Sequence, residues 1–142
     1  MTANPAPRLL CLDLGTRRTG VAVSDDLAAF AHTRPAIHHR DVQGLVSAVQ
    51  ALVQSEDAGE VIVGLPLGLS GRDTAQTKDA RDIIALLRAR LAVPVTTWDE
   101  RFSSIQAARS SRGPVPRRSG ALDSAAAAIV LQAVLDSRRS RE

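Results

Sequence analysis

The chain is poor in aromatic residues: its 142 positions hold no Tyr, one Trp and two Phe. Modules that grip single-stranded nucleic acid stack successive bases on several rings. Phe30, Trp98 and Phe102 are too few and too scattered to build such a platform. Trp98 reads as a core or sheet-surface residue. Cysteine is almost absent as well. A lone Cys11 excludes a disulfide framework and a multi-cysteine zinc site, and it reads as a small core residue of an apolar strand. His32, His38 and His39 lack partners at zinc-binding spacing. No apolar run approaches the length of a membrane span. Residues 1–8 show no charged region followed by an apolar one, so no secretory signal is expected and a cytoplasmic setting is. Lysine is nearly missing too: of 18 basic residues only Lys78 is not Arg.

What remains is 44% apolar, enough for a real core in one domain of ordinary size. The expected domain covers residues 8–136, between a disordered segment at 1–7 and a frayed basic tail at 137–142. The net charge of +3 is unevenly placed. Residues 1–100 carry 10 basic and 12 acidic side chains, net −2, whereas residues 101–142 carry eight and three, net +5. The densest stretch holds Arg109, Arg112, Arg117 and Arg118 with no acid, and Gly113, Pro114 and Pro116 deny it a regular helix. Guanidinium groups pair bidentately with phosphate oxygens, so an Arg-rich loop suits phosphate contacts.

Periodicity predicts a strand at 9–14, a turn at 15–20, a second strand at 21–24 and a third within 31–38, which Pro35 pushes toward a sheet edge. Asp41 caps a helix over about 42–54. A β-branched strand follows at 61–65, then a loop from Gly64 to Gly71, a helix over about 73–91 and a strand at 94–98. Ser103 with Gln106 forms a capping-box pattern that opens another helix, and the last helix covers 122–135. A hairpin followed by β-α units gives an α/β fold: a mixed sheet with helices on its faces.

Three acids stand out by position. Asp13 interrupts the first apolar strand near its end, Asp99-Glu100 closes the last strand, and Asp123 lies in the first turn of an otherwise apolar helix. Ionised groups beside apolar runs are costly unless paired, hydrated or bound to metal. Singly, each has a plain role: Asp13 buttresses the turn at Gly15, Glu100 pairs with an Arg, Asp123 favours its helix N-terminus. Together, carboxylates from separate elements that converge at one sheet end make an oxygen-rich site for Mg²⁺ or Mn²⁺. A pair of such ions roughly 4 Å apart promotes phosphodiester cleavage. Asp99 and Glu100 are adjacent and, if extended, point to opposite faces, so at most one is a direct ligand. Asp25 reads as a turn former.

Four segments occur in order: Leu12-Asp-Leu-Gly-Thr-Arg-Arg-Thr-Gly-Val-Ala-Val-Ser-Asp25, Ile62-Val-Gly-Leu-Pro66, Asp99-Glu-Arg-Phe-Ser-Ser104 and Leu122-Asp-Ser-Ala-Ala-Ala127. With them the chain resembles the YqgF/RuvX family of the RNase H-like superfamily, over about residues 8–136. The first segment alone also resembles the opening of sugar kinases and Hsp70-type ATPases, but those need two duplicated domains. The resemblance implies an RNase H-like fold with a five-stranded mixed sheet in order 3-2-1-4-5 and helices on both faces. It implies Mg²⁺- or Mn²⁺-dependent nuclease chemistry, with Asp13, Glu100 and Asp123 as catalytic metal ligands. It implies a nucleic-acid partner: pre-rRNA, through maturation of the 5′ end of pre-16S rRNA on the ribosomal small-subunit particle, or branched DNA, through resolution of Holliday junctions by a homodimer. Unlike many of the superfamily, strand four ends in Gly64-Leu65-Pro66 without an acid, so Glu100 has to reach across it. Thr16 and Arg17 beside Asp13, Arg72 and Lys78 beside the 64–71 loop, Arg101 beside Glu100 and the four loop arginines are the candidate nucleic-acid contacts. A non-catalytic relative would keep the fold and lose the metal, and the three matched acids argue against that.

Overall fold

A computed structural model describes residues 7–103 and 121–141. Its elements run β1 (Arg8–Asp13), β2 (Arg18–Ser24), β3 (Ala31–His38), α1 (Val42–Ser55), β4 (Ala58–Leu65), α2 (Ala75–Arg90), β5 (Val95–Asp99), a 3-10 turn (Glu100–Phe102) and α3 (Ala121–Arg139). They form one five-stranded sheet in the order β3-β2-β1-β4-β5. β1 pairs antiparallel with β2 and β2 with β3, whereas β1–β4 and β4–β5 are parallel.

Alternation along the strands builds two cores. Leu10, Leu12, Val21, Val23, Val61 and Val63 face α1 and α2, where Leu45, Val49, Ile84 and Leu87 are fully or almost fully buried. Leu9, Cys11, Ala22 and Ile62 face α3, which contributes Ala126, Ala127, Val130, Leu131 and Val134. Cys11 is a buried core residue, as its strand predicts. The α3 face is built of smaller residues, so the helix lies close against the sheet.

Most predicted elements are present, with shifted ends. Asp41 caps α1 by accepting a hydrogen bond from the Gly44 N–H at 2.7 Å. α2 begins at Ala75 rather than at Asp73, because Thr74 caps it in a reciprocal box with Thr77. Thr77 Oγ1 also donates to the Pro66 carbonyl and ties the helix start to the end of β4. β4 starts at Ala58, earlier than expected, because Arg8 pairs there. The hairpin turn is shorter than expected, since β2 already begins at Arg18. Asp25 forms its turn by accepting from the Ala29 and Phe30 N–H groups.

α3 continues past the expected boundary at 136 and includes residues 137–139. Arg138 grips Glu60 with two hydrogen bonds, at 2.8 and 2.9 Å, which anchors this last turn to β4. Beyond Ser103, the helix expected to open there, the arginines 109, 112, 117 and 118, and residues 1–6 of the segment 1–7 expected to be disordered lie outside the described residues.

Pro35 sits on edge strand β3 at an irregularity. Thr19 pairs with Ile37 and Val21 with Arg34, so one extra β3 residue opposes Gly20. Ser124 of α3 fills the gap: its Oγ accepts from the Val21 N–H at 3.2 Å and donates to the Arg34 carbonyl at 2.7 Å. A Cβ on Gly20 would lie 1.9 Å from the Asp123 carbonyl oxygen. A glycine is therefore required at position 20 for the first turn of α3 to dock there.

Candidate active site

That docking places Asp123. Gly20, on which its backbone rests, is the register partner of Asp13. Asp13 is the last residue of β1, only 5% exposed, and by alternation it shares the α3 face with Leu9 and Cys11. Glu100 comes from two strands away. β5 ends at Asp99, and Glu100 opens the 3-10 turn with its carboxylate lying over Gly64 of β4. A Cβ at Gly64 would stand 2.8 Å from Glu100 Oε1. Glu100 thus reaches across strand four through the space that Gly64 leaves open.

Asp13 and Glu100 line one cleft of about 440 Å³ at the carboxyl ends of the parallel strands, together with Leu14, Gly15, Thr16, His39 and Gly64. Open α/β sheets bind ligands at this end. Both carboxylates act on Cys11 beneath them: burial first, then the charges of Asp13 and Glu100, push its thiol well above the usual range. Asp123 lines an adjoining cleft of about 500 Å³ with Gly15, Thr16, Arg17, Arg18 and His38. The two clefts share Gly15 and Thr16. The Asp123 carboxylate forms an ion pair with Arg18, Nε to Oδ2 at 3.4 Å.

Among the described residues no group of three His, Cys, Asp or Glu side chains stands ready to hold a metal ion. The fit is that of a pair and a neighbour. Of the three matched carboxylates, Asp13 and Glu100 border one cleft, which Asp41, Asp79 and Asp82 also line, and Asp123 lines the next; all their donors are oxygens, which suits a hard divalent cation.

The other candidates are distributed unequally. Thr16 lines both clefts and Arg17 the one with Asp123. Arg72 and Lys78 are exposed and line neither cleft. Arg101 does not brace Glu100. Successive residues of a 3-10 turn point about 120° apart, and Arg101 folds back onto Asp99, with Nε 3.0 Å from both carboxylate oxygens. This guanidinium, with the Arg101 backbone N–H, holds the Asp99 carboxyl below its usual range. Asp99 is therefore committed to Arg101, which also reaches the Leu69 carbonyl.

Sequence reasoning missed three contributors. Arg18 was unremarkable in an Arg-rich chain. His39 borders the acidic cleft with Nε2 3.0 Å from Thr19 Oγ1, and burial pushes its pKa down. Gly64 read as the start of a loop, although the missing acid on strand four was a signal that another side chain needed its space.

The sheet order, the parallel β1–β4–β5 half and the close-packed last helix define an RNase H-like fold. Solved RuvC from T. thermophilus, in complex with a Holliday junction substrate, matches with a TM-score of 0.62 over 94% of this chain and 96% of that one, at 15% identity. RuvC from Thermus thermophilus in a second structure matches at 0.59 and 14%. The family model RuvX, described as Holliday junction resolvase, matches residues 7–137. A Koribacter versatilis protein named "Putative pre-16S rRNA nuclease" is 39% identical over 134 residues, 92% of this chain and 88% of its own length. One of the same name from Mesorhizobium japonicum is 38% identical, over 91% and 80%. The chain belongs to the RuvX family and is a nuclease.

Proposed function

We propose that this nuclease hydrolyses phosphodiester bonds of structured nucleic acid, chiefly at the 5′ end of pre-16S rRNA, with Mg²⁺ or Mn²⁺ held by Asp13, Glu100 and Asp123. The observation that carries the reading is the convergence of Asp13 and Glu100 on one cleft from strands that are not neighbours. The names of the relatives support the substrate. The bound metal would activate water and stabilise the charge that develops on the leaving oxygen, which departs as a 3′-hydroxyl from a 5′-phosphate.

The protein's own part is positioning. Asp13 is held rigid by β1, and Glu100 is steered over Gly64 by the 3-10 turn. Thr16 and Arg17 meet the phosphate backbone at the turn between β1 and β2. The arginines at 109, 112, 117 and 118 add non-specific phosphate contacts, and Arg72 and Lys78 serve only a longer flanking strand. The reaction belongs to the cytoplasm, on the small-subunit particle. Among the described residues no helix is long and apolar enough to cross a membrane.

The family description favours a second substrate, the four-way DNA junction. A resolvase must cut two strands symmetrically, which calls for a homodimer. One cleavage panel separates the two: pre-16S 5′-leader RNA and a four-way junction, each with Mg²⁺ and with Mn²⁺, and Asp13→Asn as control. Cleavage of the leader that needs Asp13 is the expected result. Symmetric cleavage of the junction alone, by a dimer, would replace it.

A further inference from the structure

The cleft that holds Asp123 has mixed charge. It is walled by Arg17, Arg18 and His38, with Thr16 at the rim shared with the acidic cleft. Arg18 and His38 are register partners on β2 and β3, so the strand pairing fixes both side chains at one end of the hairpin. A cationic pocket beside a cleavage site suits a backbone phosphate. Yet the cation nearest Asp123 is engaged by that acid. Arg18 and Asp123 are each 27% exposed, and their contact is a single ion pair at 3.4 Å. A pair so exposed and so long is weak and exchanges readily.

The backbone of Asp123 cannot shift, because it rests on Gly20, and Ser124 is bonded to both β2 and β3. Its side chain can. A rotation about the side-chain bonds is the one freedom left to a carboxylate whose main chain is pinned opposite Asp13.

We infer that the Arg17–Arg18–His38 cleft is a subsite for a substrate backbone phosphate, and that Arg18 acts there as an electrostatic latch on Asp123. Phosphate bound in the cleft takes over the Arg18 guanidinium. Asp123 is thereby released to turn toward Asp13 and Glu100 and to complete the oxygen donor set. Arg18 is a positioning residue: it acts on the metal site through Asp123, and it couples arrival of the nucleic acid to assembly of the acidic centre. Without substrate the latch disfavours metal binding, which guards against futile loading. The inference rests on the assignment of Asp13, Glu100 and Asp123 as the metal site.

The test reads binding rather than turnover. Mn²⁺ alone is titrated calorimetrically into the wild type, Arg18→Met, Arg18→Lys, Arg17→Met, Asp13→Asn, Asp123→Asn and the double variant Arg18→Met/Asp123→Asn, the double being compared with Asp123→Asn. The latch predicts that Arg18→Met binds Mn²⁺ about two- to fivefold more tightly than the wild type, the range an exposed ion pair can supply. Arg18→Lys restores the wild-type affinity. The gain disappears once Asp123→Asn is added. Arg17→Met removes the same charge from the same cleft without freeing Asp123, so it gains less. Equal gains for the Arg17 and Arg18 variants, no gain for Arg18→Met, or a gain that survives Asp123→Asn would each overturn the latch. Unchanged Mn²⁺ affinity in Asp13→Asn would instead remove the metal-site assignment itself, and the latch with it. In a second arm, labelled pre-16S 5′-leader RNA is bound in EDTA at several salt concentrations. Arg18→Met binds more weakly, with a salt slope lower by about one, the signature of one lost phosphate contact. An unchanged affinity and slope would dispose of the phosphate subsite.

Discussion

The two faces of the sheet divide the work. The face under α1 and α2 is packed with Leu, Val and Ile, and among the described residues no charged side chain is buried in that core. The face under α3 is built on Gly20, Ala22, Cys11 and Gly64, together with Ala126 and Ala127. Large side chains hold helices away from a sheet and stabilise the fold. Small ones let a helix, or a carboxylate from another strand, come close to the backbone. Asp13, the Glu100 carboxylate over Gly64 and the first turn of α3 meet the sheet on the second face, and the cleft that Asp13 and Glu100 line continues past the strand ends to α1 and α2.

Substitutions break this contrast in a definite order. Asp13→Asn should have the largest effect on function. Cleavage with Mg²⁺ should fall by on the order of a hundredfold or more, since even partners outside the coordination sphere of a metal cost ten- to a hundredfold. Because Asn is isosteric, the thermal midpoint should stay within a few degrees. A variant that still cleaves at the wild-type rate would remove Asp13 from the chemistry. Leu131→Ala, in the α3 core, should do the reverse and cost about 2–5 kcal/mol of stability by urea titration, by leaving a cavity under a fully buried side chain.

The two glycines sharpen the comparison. At Gly20 a methyl group meets backbone, the Asp123 carbonyl, which cannot yield. Gly20→Ala should therefore cost about 1–3 kcal/mol and lower activity together with stability. At Gly64 the methyl group meets the far end of a flexible side chain. Gly64→Ala should displace the Glu100 carboxylate, lowering kcat about tenfold with little change in the urea midpoint. Parallel losses of stability in both variants would show that Gly64 serves packing only.

The smallest effect concerns pH. Arg138 first, and then Thr96, hold the Glu60 carboxyl below its usual value of 4.5. A carboxyl depressed in the folded state stabilises the protein above its unfolded value, and that contribution fades as pH falls through the folded one. Arg138→Met should thus lose about 0.5 kcal/mol at pH 7 and converge with the wild type in strongly acidic solution. A constant difference at all pH values would show that only the packing of Arg138 matters.

Much of the fold was legible because local signals agreed with the tertiary outcome. Asp41 before an apolar period, Pro35 on an edge strand and the β-branched run ending at Leu65 each have a local cause. The ends of elements were less legible, because partners set them. β4 extends to Ala58 to meet Arg8, and α3 extends to Arg139 because Glu60 receives Arg138. The candidate site was legible as a set of acids at strand ends and a helix start. The role of Arg101 was not, since its choice of Asp99 over Glu100 depends on how the 3-10 turn rotates successive side chains.

What the sequence by itself determined is the alternation that gives the sheet two faces, the acids at element ends and the family these motifs mark. Those are local facts of residue type and spacing. Only the tertiary structure decided that Glu100 lies over Gly64, that Asp123 is pinned on Gly20 and that Arg18 holds it. Each of these contacts joins residues far apart in the chain, and the distance between two side chains on separate elements is set by packing, which spacing along the chain does not encode.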